Sequence, residues 1–445
     1  MRAGVWGVLA AFVVAGAAAA QPAGPVEQPV LKAVAAEVSA ERLRATDERL
    51  VAFGTRHTLS DQASPTRGIG AARTWVEGQF RQIAADCGGC LTIALPEATV
   101  TGERVPKPTR IVDVLAIQRG TTDPDRVVVI SGHLDSRVSD VMNATADAPG
   151  ADDDGSGVSA VMEAARVLSK HRFAATIVYA VLSGEEQGLY GGGILADYAH
   201  AQSWRVEADL NNDIVGNSHG VSGLTDDTHV RVFSEGTKAV ETPEQAGRRR
   251  YNGGEVDSPS RELARFLDGL ADQYLTNLDV VMVYRTDRFG RGGDQVKMLE
   301  AGFPAVRITE AQENYTRQHQ DVRTENGIAY GDVVAGVDFA YLAQVTRLNV
   351  VGLAALAGAP APPEGVKIEG AVSPDTKVSW SPVAGAAAYR VWWRPTTEPQ
   401  WRFSRTAPGD ATSLTLTSVN IDDFFFGVQA VAPDGAASPV VYPGP

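Results

Sequence analysis

The 445-residue sequence predicts an α/β domain, with a mixed, mostly parallel sheet sandwiched by helices, followed by a smaller all-β sandwich. Apolar strands alternate with helices through most of the chain, as in sheets covered on both faces. After a Pro/Ala/Gly segment at 358–365, the pattern changes to short alternating strands separated by turns. We therefore expect one domain at 21–357, a linker at 358–365 and a β-sandwich at 366–445.

Residues 1–20 predict a secretory signal peptide. Arg2 is a short positive region, Val5 to Ala17 form an apolar stretch, and three alanines before Gln21 form a cleavage signal. An uncleaved membrane anchor is the alternative, but the apolar run is short for a spanning helix. We expect no other segment to span a membrane. The predicted protein is therefore secreted or periplasmic, without membrane contact after cleavage.

The spacing of apolar residues assigns the elements of the first domain. Helices are expected at 31–53, 70–85, 156–170, about 188–201 and about 327–356. Strands are expected at 110–120, 126–136, 174–186, 205–217, 279–287 and 304–310. Residues 217–275 are rich in Gly, Ser, Arg and Asp, and we interpret them as an irregular insertion or surface loops.

Charge limits the possible partners of the chain. Lys plus Arg total 40 and Asp plus Glu total 54, so the formal net charge of −14 argues against nucleic acid or an anionic membrane as a partner. The basic run at 247–250 is expected in a solvated loop.

The two cysteines, Cys87 and Cys90, form a CxxC pair. Such a pair can be a redox motif, half of a zinc site or a local disulfide. A zinc site would need further soft ligands, and the protein is predicted to be exported. We therefore predict a structural disulfide.

Polar residues that can bind a metal recur where the predicted strands end, which is where ligands sit in such sheets. They are His133, Asp135, Asp153 in the glycine-rich PGADDDGSG loop, Glu185, Glu186, Asp213 and His319. Imidazole and carboxylate groups together suit zinc. The set exceeds what one tetrahedral ion uses, whereas two ions sharing a bridging carboxylate would use it. Singly, each residue could be a cap or an ion-pair partner, but adjacent Glu185 and Glu186 after an apolar strand need a cation or protons.

Five motifs carry a family resemblance: GHLDS, GADDDGSG, SGEEQGLYG, NNDIVG and a late His before Gln-Asp. In this order, over roughly residues 35–356, they resemble the co-catalytic zinc aminopeptidases, whose relatives include glutamate carboxypeptidase, glutaminyl cyclase and the transferrin receptor ectodomain. The resemblance implies two zinc ions per chain. His133 and Asp213 would hold one, Glu186 and His319 the other, and Asp153 would bridge them.

The resemblance also implies roles around these ligands. Glu185 would be the general base, turned away from Glu186 by strand alternation, and Asp135 would orient His133 by accepting its second ring N–H. A cis peptide is expected between Asp153 and Asp154. Asp152 and Asp154 are interpreted as solvated turn carboxylates. The family often has Tyr directly before the last His, but here Gln318 stands there, and Tyr315 is the nearest candidate transition-state donor.

The resemblance favours an aminopeptidase that hydrolyses N-terminal residues from peptides with a metal-activated water. A glutaminyl cyclase or a carboxypeptidase-type relative is the enzymatic alternative, and Arg288 and Arg291 are candidates for the carboxylate clamp that the latter needs. An inactive binding scaffold is the non-enzymatic alternative, which the retention of five ligands and Glu185 disfavours.

The final 80 residues or so resemble a fibronectin type III module. Trp380 in VSWSP and Tyr389 in AYRVWWR match the core aromatic residues of that module. Such modules are common spacers and adhesion units, so this resemblance identifies no partner.

Overall fold

The computed structural model describes residues 27–253 and 255–444. The signal peptide predicted for residues 1–20 lies outside the described residues.

A mixed eight-stranded sheet forms the centre of the first domain. The strands of this domain are β1 (Thr92–Ala94), β2 (Glu97–Gly102), β3 (Val105–Val112), β4 (Val114–Gln118), β5 (Asp123–His133), β6 (Ala175–Leu182), β7 (Arg205–Asn212), β8 (His229–Phe233), β9 (Asp279–Val283), β10 (Ala305–Glu310), β11 (Arg323–Glu325) and β12 (Ile328–Tyr330). The sheet order is β1-β4-β6-β5-β7-β10-β8-β9. Its four central strands, from β6 to β10 in that order, are parallel to one another. The predicted α/β fold is confirmed.

Helices cover both faces of this sheet. They are α1 (Pro29–Ala36), α2 (Ala40–Val51), α3 (Ile69–Asp86), α4 (Gly155–Leu168), α5 (Glu185–Gly188), α6 (Tyr190–Ala201), α7 (Pro243–Asn252), α8 (Pro259–Tyr274), α9 (Gln295–Glu300) and α10 (Phe339–Gly358). Successive strand side chains point to opposite faces. In β5, Val128 and Ile130 join the core with α4 and α10, whereas Val127 and Val129 join a second core with α6 and α9.

Several predicted segments differ from the structure. The helix expected at 31–53 is two helices, because the Ser39 side chain accepts the N–H of Arg42 and starts α2. The segment expected to be irregular, 217–275, contains β8 of the central sheet and α8, whose apolar residues recur at helical spacing and are buried. The basic run at 247–250 lies in α7 rather than in a loop.

Helix α10 begins at Phe339, later than expected. Within the described residues it is the one helix long and apolar enough to cross a membrane, which the sequence analysis did not anticipate. However, 78% of its most apolar window is buried inside the protein, and its side chains pack against the central sheet. It is therefore the core helix of this domain.

The C-terminal region has the predicted all-β character. Its strands are β13 (Lys367–Glu369), β14 (Thr376–Ser379), β15 (Ala388–Pro395), β16 (Phe403–Pro408), β17 (Ser413–Leu416) and β18 (Phe424–Val431). They form two three-stranded antiparallel sheets, β13-β14-β17 and β16-β15-β18. One apolar core that includes Trp380 and Tyr389 lies between them. We call residues 366–444 the C-terminal module; its relation to fibronectin type III stays a prediction.

The predicted disulfide is confirmed. Cys87 and Cys90, directly after α3, are bonded through their sulfur atoms.

Candidate metal centre

The predicted metal ligands meet at the carboxyl ends of the central parallel strands. His133 is the last residue of β5, and Asp213 directly follows β7. Glu186 lies just beyond β6, in α5. Asp153 lies in the loop before α4, and His319 lies in the segment after β10. Parallel strands bring these distant positions to one edge of the sheet, where α/β folds place their ligands.

The five ligands form two triads that share Asp153. In the first triad, Nε2 of His133 lies 3.2 Å from Oδ1 of Asp153 and 3.8 Å from Oδ1 of Asp213. In the second, Nε2 of His319 lies 3.0 Å from Oδ2 of Asp153 and 3.0 Å from Oε1 of Glu186. The two oxygens of Asp153 thus face different triads, as a bridging carboxylate requires.

The donor set fits a pair of divalent cations. Oε1 of Glu186 is buried and, within the described residues, has no hydrogen-bond partner, although it faces the His319 ring. Burial lowers the pKa of His319, but the Glu186 and Asp153 carboxylates outweigh this and raise that pKa to about 10. The cluster therefore attracts positive charge strongly. Nitrogen and carboxylate oxygen donors at these positions suit zinc.

Asp152 and Asp154 are buried, so their interpretation as solvated turn carboxylates is wrong. The Asp154 carboxylate accepts the backbone N–H groups of His133 (2.9 Å) and of Gly157 (3.0 Å), which caps α4. One oxygen of Asp152 accepts the N–H of Gly216 at 2.8 Å. The cis peptide expected between Asp153 and Asp154 is present.

Asp332, which the sequence analysis missed, holds the backbone of the bridging residue. Its carboxylate accepts the N–H of Asp153 at 2.8 Å and the N–H of Asp152 at 2.9 and 3.1 Å. Asp332 lies 179 positions from Asp153 in the chain. No local motif connects the two, so only the folded structure identifies this contact.

The Asp135 side chain has a different partner from the one expected. Nδ1 of His133 lies 3.0 Å from the Asp135 backbone carbonyl and 3.8 Å from its carboxylate. The carboxylate instead accepts the N–H groups of Gly184 (2.8 Å), Glu185 (3.2 Å) and Glu186 (3.1 Å). The α5 N-terminus carries orphan N–H groups that attract an anion, which explains this choice. Asp135 therefore positions Glu185 and Glu186.

Glu185 and Glu186 lie on the short helix α5 rather than on a strand. Their side chains diverge because successive helical residues point about 100° apart, not because of strand alternation. Glu186 is buried, whereas Glu185 is partly exposed. Burial raises the pKa of Glu185 well above its usual range, and the neighbouring Glu186 and Asp213 charges raise it further, against the effect of His133. The surroundings of Glu185 therefore favour its protonated form more than water does.

A buried arginine on β10, which the sequence analysis also missed, neutralises Asp213. Arg307 is fully buried and pairs with the Asp213 carboxylate, and its guanidinium also donates to the Asp213 carbonyl at 3.2 Å. Burial raises the pKa of Asp213, but Arg307 and His133 lower it below its usual range. The sequence did contain a signal for this contact, since Arg307 lies inside the apolar strand sequence AVRITE. An arginine in a buried strand needs a carboxylate partner.

The remaining candidates are placed as follows. Tyr315 is 58% exposed, and its role as transition-state donor stays a prediction. Arg288 lies beside Asp287 (3.2 Å), Glu313 (3.8 Å) and Asp213 (3.9 Å). Arg291 donates to Glu313 at 2.9 Å. Both guanidinium groups therefore face carboxylates of the protein, although Nη1 of Arg288 is buried and has no hydrogen-bond partner among the described residues.

Fold and site together define an α/β protein with a paired metal-ligand cluster at its strand ends. The family model described as Peptidase family M28 matches residues 113–333, which include all five ligands. A "Probable zinc metalloprotease" of Leptosphaeria maculans is 45% identical over 95% of this chain and 98% of its own. Another of Pyricularia oryzae is 45% identical over 93% of this chain and 84% of its own. The chain therefore belongs to peptidase family M28, and its predicted class, a zinc metallopeptidase, is confirmed.

Solved structures support the same fold at lower identity. The Legionella pneumophila LapA aminopeptidase is 19% identical, with a TM-score of 0.52 over 75% of this chain and 77% of its own. Porphyromonas gingivalis glutaminyl cyclase is 18% identical, with a TM-score of 0.50 over 71% of this chain and 98% of its own. At these identities the similarity concerns the fold.

Proposed function

We propose that this protein is a secreted aminopeptidase that uses two zinc ions to release residues from the N-terminus of peptides. The observation that carries the proposal is the pair of triads sharing Asp153, with Glu185 beside them. His133, Asp213 and Asp153 would hold one ion, and Glu186, His319 and Asp153 the other. The names of the relatives as zinc metalloproteases support the choice of metal.

The residues of the chain divide the work of hydrolysis. When bound, zinc would lower the pKa of water and polarise the scissile carbonyl. Glu185 accepts a proton from the attacking water and donates one to the leaving amine. Asp135 holds the Glu185 backbone in place, and Asp332 holds the Asp153 backbone. The two triads would hold two ions, of which one would be available to bind the free α-amine of a substrate, and this favours an aminopeptidase.

Two observations weigh against the alternative activities. A carboxypeptidase needs a cationic clamp whose charge is not already balanced, but Arg288 and Arg291 form ion pairs with Asp287 and Glu313. Glutaminyl cyclase chemistry needs only one metal ion, whereas this chain offers two candidate ligand triads. The secreted location is supported by the predicted signal peptide and by the disulfide, which fits an oxidising compartment.

A substrate panel tests the activity. Mature protein is incubated with leucine and alanine anilides, their N-acetyl derivatives, C-terminally blocked peptides and peptides that begin with glutamine. We expect cleavage of free-amine substrates and little cleavage of acetylated ones, because these lose an amine ligand. The Glu185→Gln variant, purified identically, controls for contaminating peptidases. Equal cleavage of acetylated substrates, dependence on a free C-terminus, or cyclisation of glutamine without cleavage would overturn the aminopeptidase proposal.

Metal analysis tests the ion count separately. Undialysed, active protein should contain close to two zinc ions per chain. Zinc content well below one per chain in fully active protein would contradict the proposed centre.

A further inference from the structure

A buried ionic contact joins the C-terminal module to the peptidase domain. Asp257, just before α8, receives two hydrogen bonds from the Arg394 guanidinium of β15, at 2.7 and 2.9 Å. Both residues are 1% exposed. The two partners lie 137 positions apart, on opposite sides of the linker at 358–365. We call this contact the Asp257–Arg394 pair.

The first turns of α8 extend the contact. Arg265 donates to Asp257 at 2.7 Å and to the Pro399 carbonyl of the module at 2.8 Å. The Glu262 carboxylate pairs with Arg265 and accepts the indole N–H of Trp401 at 2.9 Å. Arg394 of the module thus joins a network of three charged side chains of the peptidase domain, Asp257, Glu262 and Arg265, and all four groups are buried.

Apolar and backbone contacts surround this ionic centre. The guanidinium of Arg394 lies 4.5 Å above the Phe425 ring and 5.3 Å above the Trp401 ring. Phe425 packs so closely against Gly253 that a Cβ atom there would lie 2.2 Å from the ring. At the edge, the Gln400 amide donates to Asp268 at 2.9 Å. Several separate segments of each domain therefore meet in one packed interface.

The energetics favour a permanent interface over a mobile one. A buried charge that loses its partner is strongly destabilising. A docked position that kept these charges buried without their partners would therefore be unstable, so the ionic network selects one docked position. Full separation would return the charges to water, so the stability of docking comes from the packing of the Phe425 and Trp401 rings.

We propose that the C-terminal module is a permanently docked part of the peptidase, and that the N-terminal half of α8, with Asp257, is its docking surface. The module is therefore neither a flexible spacer nor a free adhesion unit. Its partner is the peptidase domain of the same chain. This inference does not depend on the substrate or the metal content of the active site.

Cleavage of the linker in the intact protein tests the proposal. A recognition sequence for a specific endopeptidase is inserted after Glu364, which is exposed. After complete cleavage, the two pieces should co-elute in gel filtration at the mass of the uncut chain. They should also co-elute at about 1 M salt, because salt screens buried pairs poorly. Separate elution of the cleaved pieces would overturn permanent docking.

Two matched variants of the cleavable protein test the docking surface. Arg394→Met keeps an unbranched apolar side chain against Phe425 and Trp401 but removes the charge. Arg390→Met is the control, because Arg390 lies four residues earlier on the same strand and contacts Trp392 rather than Asp257. In the cleaved Arg394→Met protein, we expect the dissociation constant of the two pieces to rise more than about 100-fold. In the Arg390→Met protein, it should equal that of wild type. Equal retention in both variants would refute the role of the Asp257–Arg394 pair.

Discussion

The Asp135→Asn substitution should release the helix that carries the proposed base and a metal ligand. One carboxylate oxygen of Asp135 accepts the N–H groups of Gly184 and Glu185, and the other accepts the N–H of Glu186 and the hydroxyl of Thr58 at 2.9 Å. Asparagine keeps the shape of the side chain but has a single acceptor oxygen. In the orientation that loses fewer hydrogen bonds, the asparagine oxygen still accepts the N–H groups of Gly184 and Glu185. Its NH₂ group then faces the N–H of Glu186, which loses its acceptor.

The expected cost follows from these four contacts. One hydrogen bond to a charged acceptor is lost, which costs about 1.5–3 kcal/mol, and the N–H left unpaired adds about 1–3 kcal/mol. We expect the free energy of unfolding to fall by roughly 3 kcal/mol, which a typical domain tolerates. Because a misplacement near 1 Å can cost about 100-fold in rate, kcat should fall by one to two orders of magnitude.

Three measurements check this prediction: denaturant unfolding, kcat on a leucine anilide, and hydrogen exchange of the amides at 184–186. Thr58→Val is the control, because it removes one neutral donor from the same carboxylate and leaves the three amides paired. This control should lower the free energy of unfolding by about 1 kcal/mol and leave the exchange of the amides at 184–186 unchanged. The reasoning is refuted if Asp135→Asn keeps wild-type stability, kcat and slow exchange at these amides.

Four further predictions follow from the structure. Glu185→Gln should keep its zinc but lose about 10²–10⁴-fold in kcat, and loss of zinc on metal analysis would reverse the assigned roles of Glu185 and Glu186. Asp153→Asn should lower zinc content itself, because both triads share this carboxylate; unchanged content after dialysis would contradict the bridge. Chelation should lower the melting temperature, and zinc should restore it, because buried ligands lose their ion. Burial raises the pKa of Glu235, which is 5% exposed, to about 7, so the stability that its protonated form contributes is complete below about pH 4.5 and is lost as pH rises through 7. The free energy of unfolding of Glu235→Gln should therefore increase relative to that of wild type by up to about 3 kcal/mol between pH 5 and 8. A difference between the two proteins that does not change with pH would argue against this.

The sequence by itself determined the fold class and the chemistry of the site. Apolar periodicity depends on neighbours in the chain, so it located most strands of the sheet, although not β1 or β8, and helices such as α3 and α4. His133, Asp213 and Glu186 follow parallel strands, and the carboxyl ends of such strands meet at one edge. Their residue types alone therefore predicted a metal centre.

Only the tertiary structure decided which groups hold this centre in place. Asp332 holds the backbone of Asp153 from 179 positions away, and Arg307 pairs with Asp213 from 94 positions away. Asp135 binds the α5 amides instead of the His133 ring because the turn after β6 presents three N–H groups to it. Buried hydrogen-bonding groups need partners, but the chain path selects among all donors and acceptors. The Asp257–Arg394 pair could not be predicted from the sequence for the same reason. Neither residue lies in a motif, and the two meet only when the domains dock.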